Sequence, residues 1–279
     1  MQVIESLEEM KWVANQIGNE KKTLAWVPTM GALHPGHLHL IKTARKEGTV
    51  TVVSIFVNPI QFGPSEDLSA YPHSLEEDLK LCEQQAVDIV FIPKAQEVYA
   101  KDFSTYVVEE QLSPLLGGLS RPQLLKGYAT VLEVMRNILQ PTVLVLGAKD
   151  LQQTALIRRV ARDLHWMTRI KVEATVREPD GLAFSASNRF LSTAQRAEAI
   201  RIYEALKAGR ALFDRGITNI DRILAEVTHL LTQSLRIRVL YVAMVDADTL
   251  KNCTTASAGS VLAASVWVDT IRLNDNIVF

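Results

Sequence analysis

The stretch Pro28-Thr29-Met30-Gly31-Ala32-Leu33-His34-Pro35-Gly36-His37 puts two imidazoles three residues apart, with a glycine just before the second. A glycine lets a ligand lie against the backbone, and a helix starting here would aim its unpaired N–H groups at an anion. Two imidazoles at such a point can donate hydrogen bonds to phosphate oxygens as charge develops at phosphorus. Two surface histidines in a turn would look the same in isolation, and a metal reading lacks a third ligand. A second cluster is Gly147-Ala148-Lys149-Asp150-Leu151-Gln152-Gln153. A lysine where a helix begins opposes the helix dipole, so it calls for a reason, and binding phosphate is a good one. Gln153 would project from the first turn toward the same cleft; the bland alternative is a solvated Lys–Asp turn. In Val57-Asn58-Pro59-Ile60-Gln61-Phe62-Gly63-Pro64, Asn58 and Gln61 could hold a carboxylate and hydroxyls, although this stretch alone reads as a Pro/Gly loop. The small polar run around Phe184-Ser185-Ala186-Ser187-Asn188 could close over a nucleotide, or serve as a linker and helix cap.

The elements that would position these clusters follow from periodicity. Short β-branched runs at 23–27, 50–57, 87–92, 143–146 and 170–176 read as strands. Helical spacing fills 36–47, 74–85, 126–139 and 150–164. Ser74 with Glu77, and Asp150 with Gln153, have the spacing of a capping box. Alternating strands and helices predict a Rossmann-like parallel sheet covered on both faces, with ligands at the carboxyl ends of the strands. Three of the four clusters fall at such ends. Beyond about 176 the pattern changes. Ser192 and Gln195 form another capping box opening a helix to about 215, a second helix covers 220–235, and strands fall at 239–245, 261–268 and 270–273. The expected organisation is α/β over 1–176 and a smaller α+β lid over 177–279.

Composition narrows the class. The 279 residues are 48% hydrophobic with a net charge of −1, which supports a packed core and gives no electrostatic case for a nucleic acid or an anionic membrane as partner. Cys82 and Cys253 match no metal-ligand spacing. The acidic start MQVIESLEEM does not read as a signal peptide, and no apolar run approaches the length of about 20 residues that spans a bilayer. The expected compartment is the cytoplasm.

With these residues in view, the chain resembles the pantothenate synthetases (pantoate–β-alanine ligases), of the His-x-Gly-His nucleotidyltransferase group. The resemblance rests on VPTMGALHPGH, SIFVNPIQFGPSEDLSAYP, LGAKDLQQ, VREPDGLAFSASNRFLS and the terminal RLNDN, and runs over nearly the whole chain. It implies a cytoplasmic homodimer in the pathway to coenzyme A, in which pantoate attacks Mg-ATP to give pantoyl adenylate and β-alanine displaces AMP. By motif match, His34, His37 and Lys149 would act on the phosphates. Thr29, Met30, Gly36, Gly147, Asp150, Val176, Phe184, Ser185, Ala186 and Ser187 would hold the nucleotide. Met30, Gln61 and Gln153 would line the acid site with Asn58 nearby, with Mg2+ carried by ATP and no dedicated metal ligands.

Several positions depart from the family pattern. Ser187 stands where an arginine is usual, removing a charge-assisted phosphate contact worth roughly 1.5–3 kcal/mol. Gly117, Leu124, Leu125 and Tyr128 replace an acidic residue, a histidine, a phenylalanine and a smaller neighbour, while Arg121 and Pro122 are kept. His73 stands in place of another arginine. These changes leave three expectations: an ordinary member that has drifted, a related ligase with another acid or amine, or an inactive relative that binds nucleotide.

Overall fold

The computed structural model describes residues 1–63, 68, 71, 72 and 74–279. His73 and residues 64–67, 69 and 70, part of the second family stretch, lie outside the described residues.

A six-stranded sheet organises the first part of the chain: β1 (Gln2–Ile4), β2 (Leu24–Thr29), β3 (Val50–Ile55), β4 (Ile89–Phe91), β5 (Val143–Gly147) and β6 (Arg169–Glu173). All pairings are parallel, in the order β1-β4-β3-β2-β5-β6. The buried runs in β2, β3 and β5 match the continuous apolar character that a sheet covered on both faces demands. Helices α1 (Leu7–Asn19), α2 (Pro35–Glu47), α3 (Leu75–Gln84), α4 (Ala95–Val98), α5 (Pro122–Leu139) and α6 (Leu151–Asp163) provide that cover. From β2 the chain winds outward through β3 to β4, then returns to lay β5 on the other side of β2. This reversal is a topological switch point, where the loops leaving β2 and β5 diverge and leave a crevice. The histidine loop and the lysine loop are those two loops.

The second part is an antiparallel sheet of β7 (Ile237–Asp246), β8 (Ser260–Val268) and β9 (Ile271–Val278), backed by α7 (Thr193–Ala199), α8 (Arg201–Asp214) and α9 (Ile220–Thr232). Its core joins Ile202, Leu206, Ile223, Val227 and Leu231 to Leu262, Ala264 and Val266.

Several local expectations change. Neither β1 nor α1 is among the predicted elements, although Ser6 caps α1 and Met10, Ala14 and Ile17 form its buried stripe. The Ser192–Gln195 capping box is present, but the single helix expected after it divides into α7 and α8 at Ile200, which keeps helical dihedrals. Ser74 and Asp150 make no capping bond. The Ser74 hydroxyl instead donates to Asp78, and the Asp150 carboxylate turns 3.5 Å from Lys149 Nζ. The strand predicted at 170–176 ends at Glu173, and β9 runs to Val278, well past 273.

Candidate active site

His34 is the N-cap of α2, and its own side chain accepts from Gly36 N–H through Nδ1 at 3.2 Å. His37 Nδ1 accepts from His34 N–H at 3.3 Å. A backbone N–H can only donate, so both Nδ1 atoms are unprotonated and each neutral ring carries its proton on Nε2. The rings lie 4.0 Å apart, and Phe184 from the second part stacks on His34 at 6.1 Å. Burial, with Lys149 adding to it, lowers His34 to about 4. Burial, then His34 and Lys149, lowers His37 to about 3. The pair therefore offers two N–H donors without net charge.

The loop before them requires a left-handed turn. Gly31 and Ala32 have φ of +82° and +52°. The N–H groups of a tight turn can converge on one concavity, a common anion cradle. Here the anion is internal: Asp78, only 2% exposed, accepts from Ala32 N–H at 2.8 Å and Leu33 N–H at 2.7 Å. The carboxylate locks the turn that delivers Met30 and His34. Asp78 is absent from the sequence-derived site because its partners lie more than forty positions away.

Lys149 and Asp150 sit between β5 and α6, 3.5 Å apart. One cavity of about 490 Å³ is lined by Thr29, Met30, His34, Gly36, His37, Gln61, Gly147, Lys149, Asp150, Gln153, Val176, Phe184, Ser185, Ala186 and Ser187. Asn58 is not on its wall. It is fully buried: its amide donates to Gln61 Oε1 at 2.8 Å and Gly127 O at 3.0 Å, and its oxygen accepts from Tyr99. The direct substrate contact expected of Asn58 is thus corrected to a supporting one, since the bonds that fix Gln61 turn the amide away from the cleft. Gly127 allows this approach, because a Cβ there would lie 2.4 Å from Ile60 O.

Among the departures, Leu124 and Tyr128 line the cleft. Leu125 is buried instead with Ala129, Leu156 and Val160. Trp26, Phe56, Val131, Leu132 and Met135 make the deep wall apolar. Arg272 and Asn274 of the terminal RLNDN stretch also reach the cavity, and Arg272 donates to Ser120 Oγ at 3.3 Å. Ser187 faces the cavity from the turn Ala186–Phe190. Ser187→Arg should therefore tighten ATP binding by about 10- to 150-fold, the range that roughly 1.5–3 kcal/mol for one charge-assisted contact implies. Titration with a non-hydrolysable ATP analogue measures this, and unchanged affinity would show that other cations already satisfy the phosphates.

A parallel sheet whose switch point carries two neutral imidazoles, a lysine and a cleft of nucleotide size defines an α/β protein of the nucleotidyltransferase kind. The chain belongs to the pantoate–β-alanine ligase family, whose model matches residues 2–278. It is 43% identical to a pantothenate synthetase of Thermosipho africanus over 278 residues, covering 100% of both chains. It is 42% identical to that of Thermotoga petrophila, covering 100% of this chain and 99% of the other. A crystal structure of pantothenate synthetase from Thermus thermophilus superposes with a TM-score of 0.94 at 36% identity, covering 99% of each chain. The Francisella tularensis pantoate–β-alanine ligase, crystallised with "Beta-gamma ATP" and β-alanine, gives 0.82 at 28% identity, covering 100% of this chain and 97% of that one.

Proposed function

We propose that this cleft condenses pantoate with β-alanine at the expense of ATP. The observation that carries the reading is that one cavity is lined by two chemistries: the N–H donors and cation of His34, His37 and Lys149, and the amides of Gln61 and Gln153 together with apolar Phe56, Leu132 and Met135. The first suits a triphosphate; the second suits a small hydroxy acid with a hydrocarbon centre. A pantoate carboxylate oxygen attacks the α-phosphorus of ATP, the bond to the bridging oxygen breaks, and pyrophosphate leaves. The free amine of β-alanine then attacks the acyl carbon, AMP departs with the electrons of the C–O bond, and the nitrogen gives up one proton to solvent. The attacking groups belong to the substrates, so the protein aligns them and stabilises charge on the phosphates.

Thr29, Gly36, Gly147, Val176, Phe184 and residues 185–187 form the nucleotide side of this reading, and Met30 borders both substrates. The described residues hold no cluster of three or more His, Cys, Asp or Glu placed for a metal. Asp150, half-exposed on the cleft, belongs with Gly147 on the nucleotide side, and magnesium would enter with ATP, held by its phosphate oxygens. Magnesium supplies neutralisation of phosphate charge when bound. No helix among the described residues is long and apolar enough to cross a membrane. A cytoplasmic homodimer divided near residue 176 completes the reading, on the family resemblance.

AMP formation by the purified protein with Mg-ATP, pantoate and β-alanine, each omitted in turn, tests the reaction. AMP should require both substrates. A second reading, a different acid or amine, has one observation in its favour: Leu124 and Tyr128 make part of the cleft wall bulkier and more apolar. Pyrophosphate release with pantoate but no amine-dependent AMP would point to another amine, and no release with pantoate would point to another acid or an inactive relative.

A further inference from the structure

The terminal strand contains a motif that the reaction does not use directly. Asn276, on β9 of the second sheet, is 6% exposed. Its amide nitrogen donates to Ala148 O at 3.0 Å and to Lys149 O at 2.9 Å. The two amide hydrogens thus satisfy two consecutive carbonyls of the lysine loop, from a residue more than 120 positions away. The preceding residue anchors the donor. Asp275 accepts two bonds from Arg177, at 2.6 and 3.0 Å, and is 4% exposed. Arg177 also donates to Gly181 O and Asn276 O and lies 3.7 Å over the Tyr203 ring. Arg177 belongs to the segment that leads from β6 to the turn carrying Ser185–Ser187, and it is bridged there to Ala183.

These contacts form a chain from the lid turn through Arg177 and Asp275 to Asn276 and the peptide of Lys149. A lysine side chain is flexible and can meet the phosphates in many geometries. Its backbone carbonyl and that of Ala148 are what the fold can fix. We infer that Asn276 is a positioning residue for Lys149, through which the second part of the molecule sets where the ammonium meets the ATP phosphates. The inference deepens the proposed function and rests on Lys149 acting on phosphate.

The test is a double-mutant cycle over Asn276→Ala and Lys149→Ala, read in two ways: affinity for α,β-methylene-ATP, and pantoate-dependent ATP–pyrophosphate exchange. Asn276→Ala alone should weaken the analogue about 5-fold and slow exchange about 10- to 100-fold, within the range seen for misplaced catalytic groups. Its KM for pantoate should stay within about 2-fold, because Gln61 and Gln153 are untouched. In the Lys149→Ala background, Asn276→Ala should add nothing, since residues acting as one unit are not additive. Asn276→Ser, with a shorter donor, should fall between wild type and alanine. Losses that multiply, or an Asn276→Ala protein with wild-type affinity and exchange, would overturn the inference. Absence of exchange in the wild type would instead count against pantoate as the acid, and the analogue-binding cycle would still decide the role of Asn276.

Discussion

Lys149→Ala is expected to slow pantoyl adenylate formation by about 10²–10³-fold while leaving the protein as stable as before, or slightly more so. The two effects separate because the lysine is placed against local stability. It sits just ahead of α6, where the positive end of the helix dipole disfavours a cation, and its ion pair with Asp150 is long, at 3.5 Å. A pair of that kind contributes roughly 0–1 kcal/mol. Arg121 and Arg272 line the same cavity and add positive potential. A cation kept in such surroundings is there for an anionic ligand, and negative charge gathers on the phosphates as the bond to pyrophosphate breaks. Exchange kinetics and a thermal melt of the same variant check both halves. Unaltered exchange would remove Lys149 from the reaction. A large fall in melting temperature would mean that the loop, rather than the charge, had been lost.

What is legible in the sequence is what lies close along the chain. The His34–His37 pair, Lys149 and Gln153 each follow a β-branched run, and the position of ligands at strand ends then brings them together. The residues that hold these groups are hidden for the opposite reason. Asp78 cradles Ala32 and Leu33, and Asn276 pins Ala148 and Lys149, across separations that no local pattern reveals. Gln152 shows the same limit beside a predicted site residue. Its amide donates to Leu112 O at 2.9 Å and Leu115 O at 2.6 Å, and its oxygen accepts from Gly118 N–H, so it shapes the loop before Arg121. Two adjacent glutamines do not say which of them faces the ligand. Asn58 misleads for a related reason, because an amide in a cleft loop serves equally well as a contact or as the support behind one. Helix α1 is different: its cap Ser6 and the spacing of Met10, Ala14 and Ile17 are local signals, legible without the structure, that the predicted elements leave out.

The histidine pair should also make the protein less stable in mild acid, and the direction follows from linkage. In the unfolded chain each imidazole titrates near 6.5. In the folded protein burial holds His34 at about 4 and His37 at about 3. Between these values and 6.5 the unfolded state binds more protons, so stability is fully present above pH 6.5 and falls as the pH drops toward 4. The two rings share one neighbourhood and keep an edge on the open cleft, so the effect is best set at about one proton, or on the order of 2 kcal/mol between pH 7 and 5. Urea unfolding at several pH values should show this slope, and His34→Gln/His37→Gln should flatten it by that amount. The same double variant should lose adenylation by at least about 10²-fold, because it replaces both Nε2–H donors held by the Gly36 and His34 amides. A slope unchanged by the double substitution would mean that the pair takes up protons alike in the folded and the unfolded protein, so that burial does not depress it. The rings would then meet the phosphates as imidazolium below about pH 6.5, and the two neutral N–H donors would hold only above it.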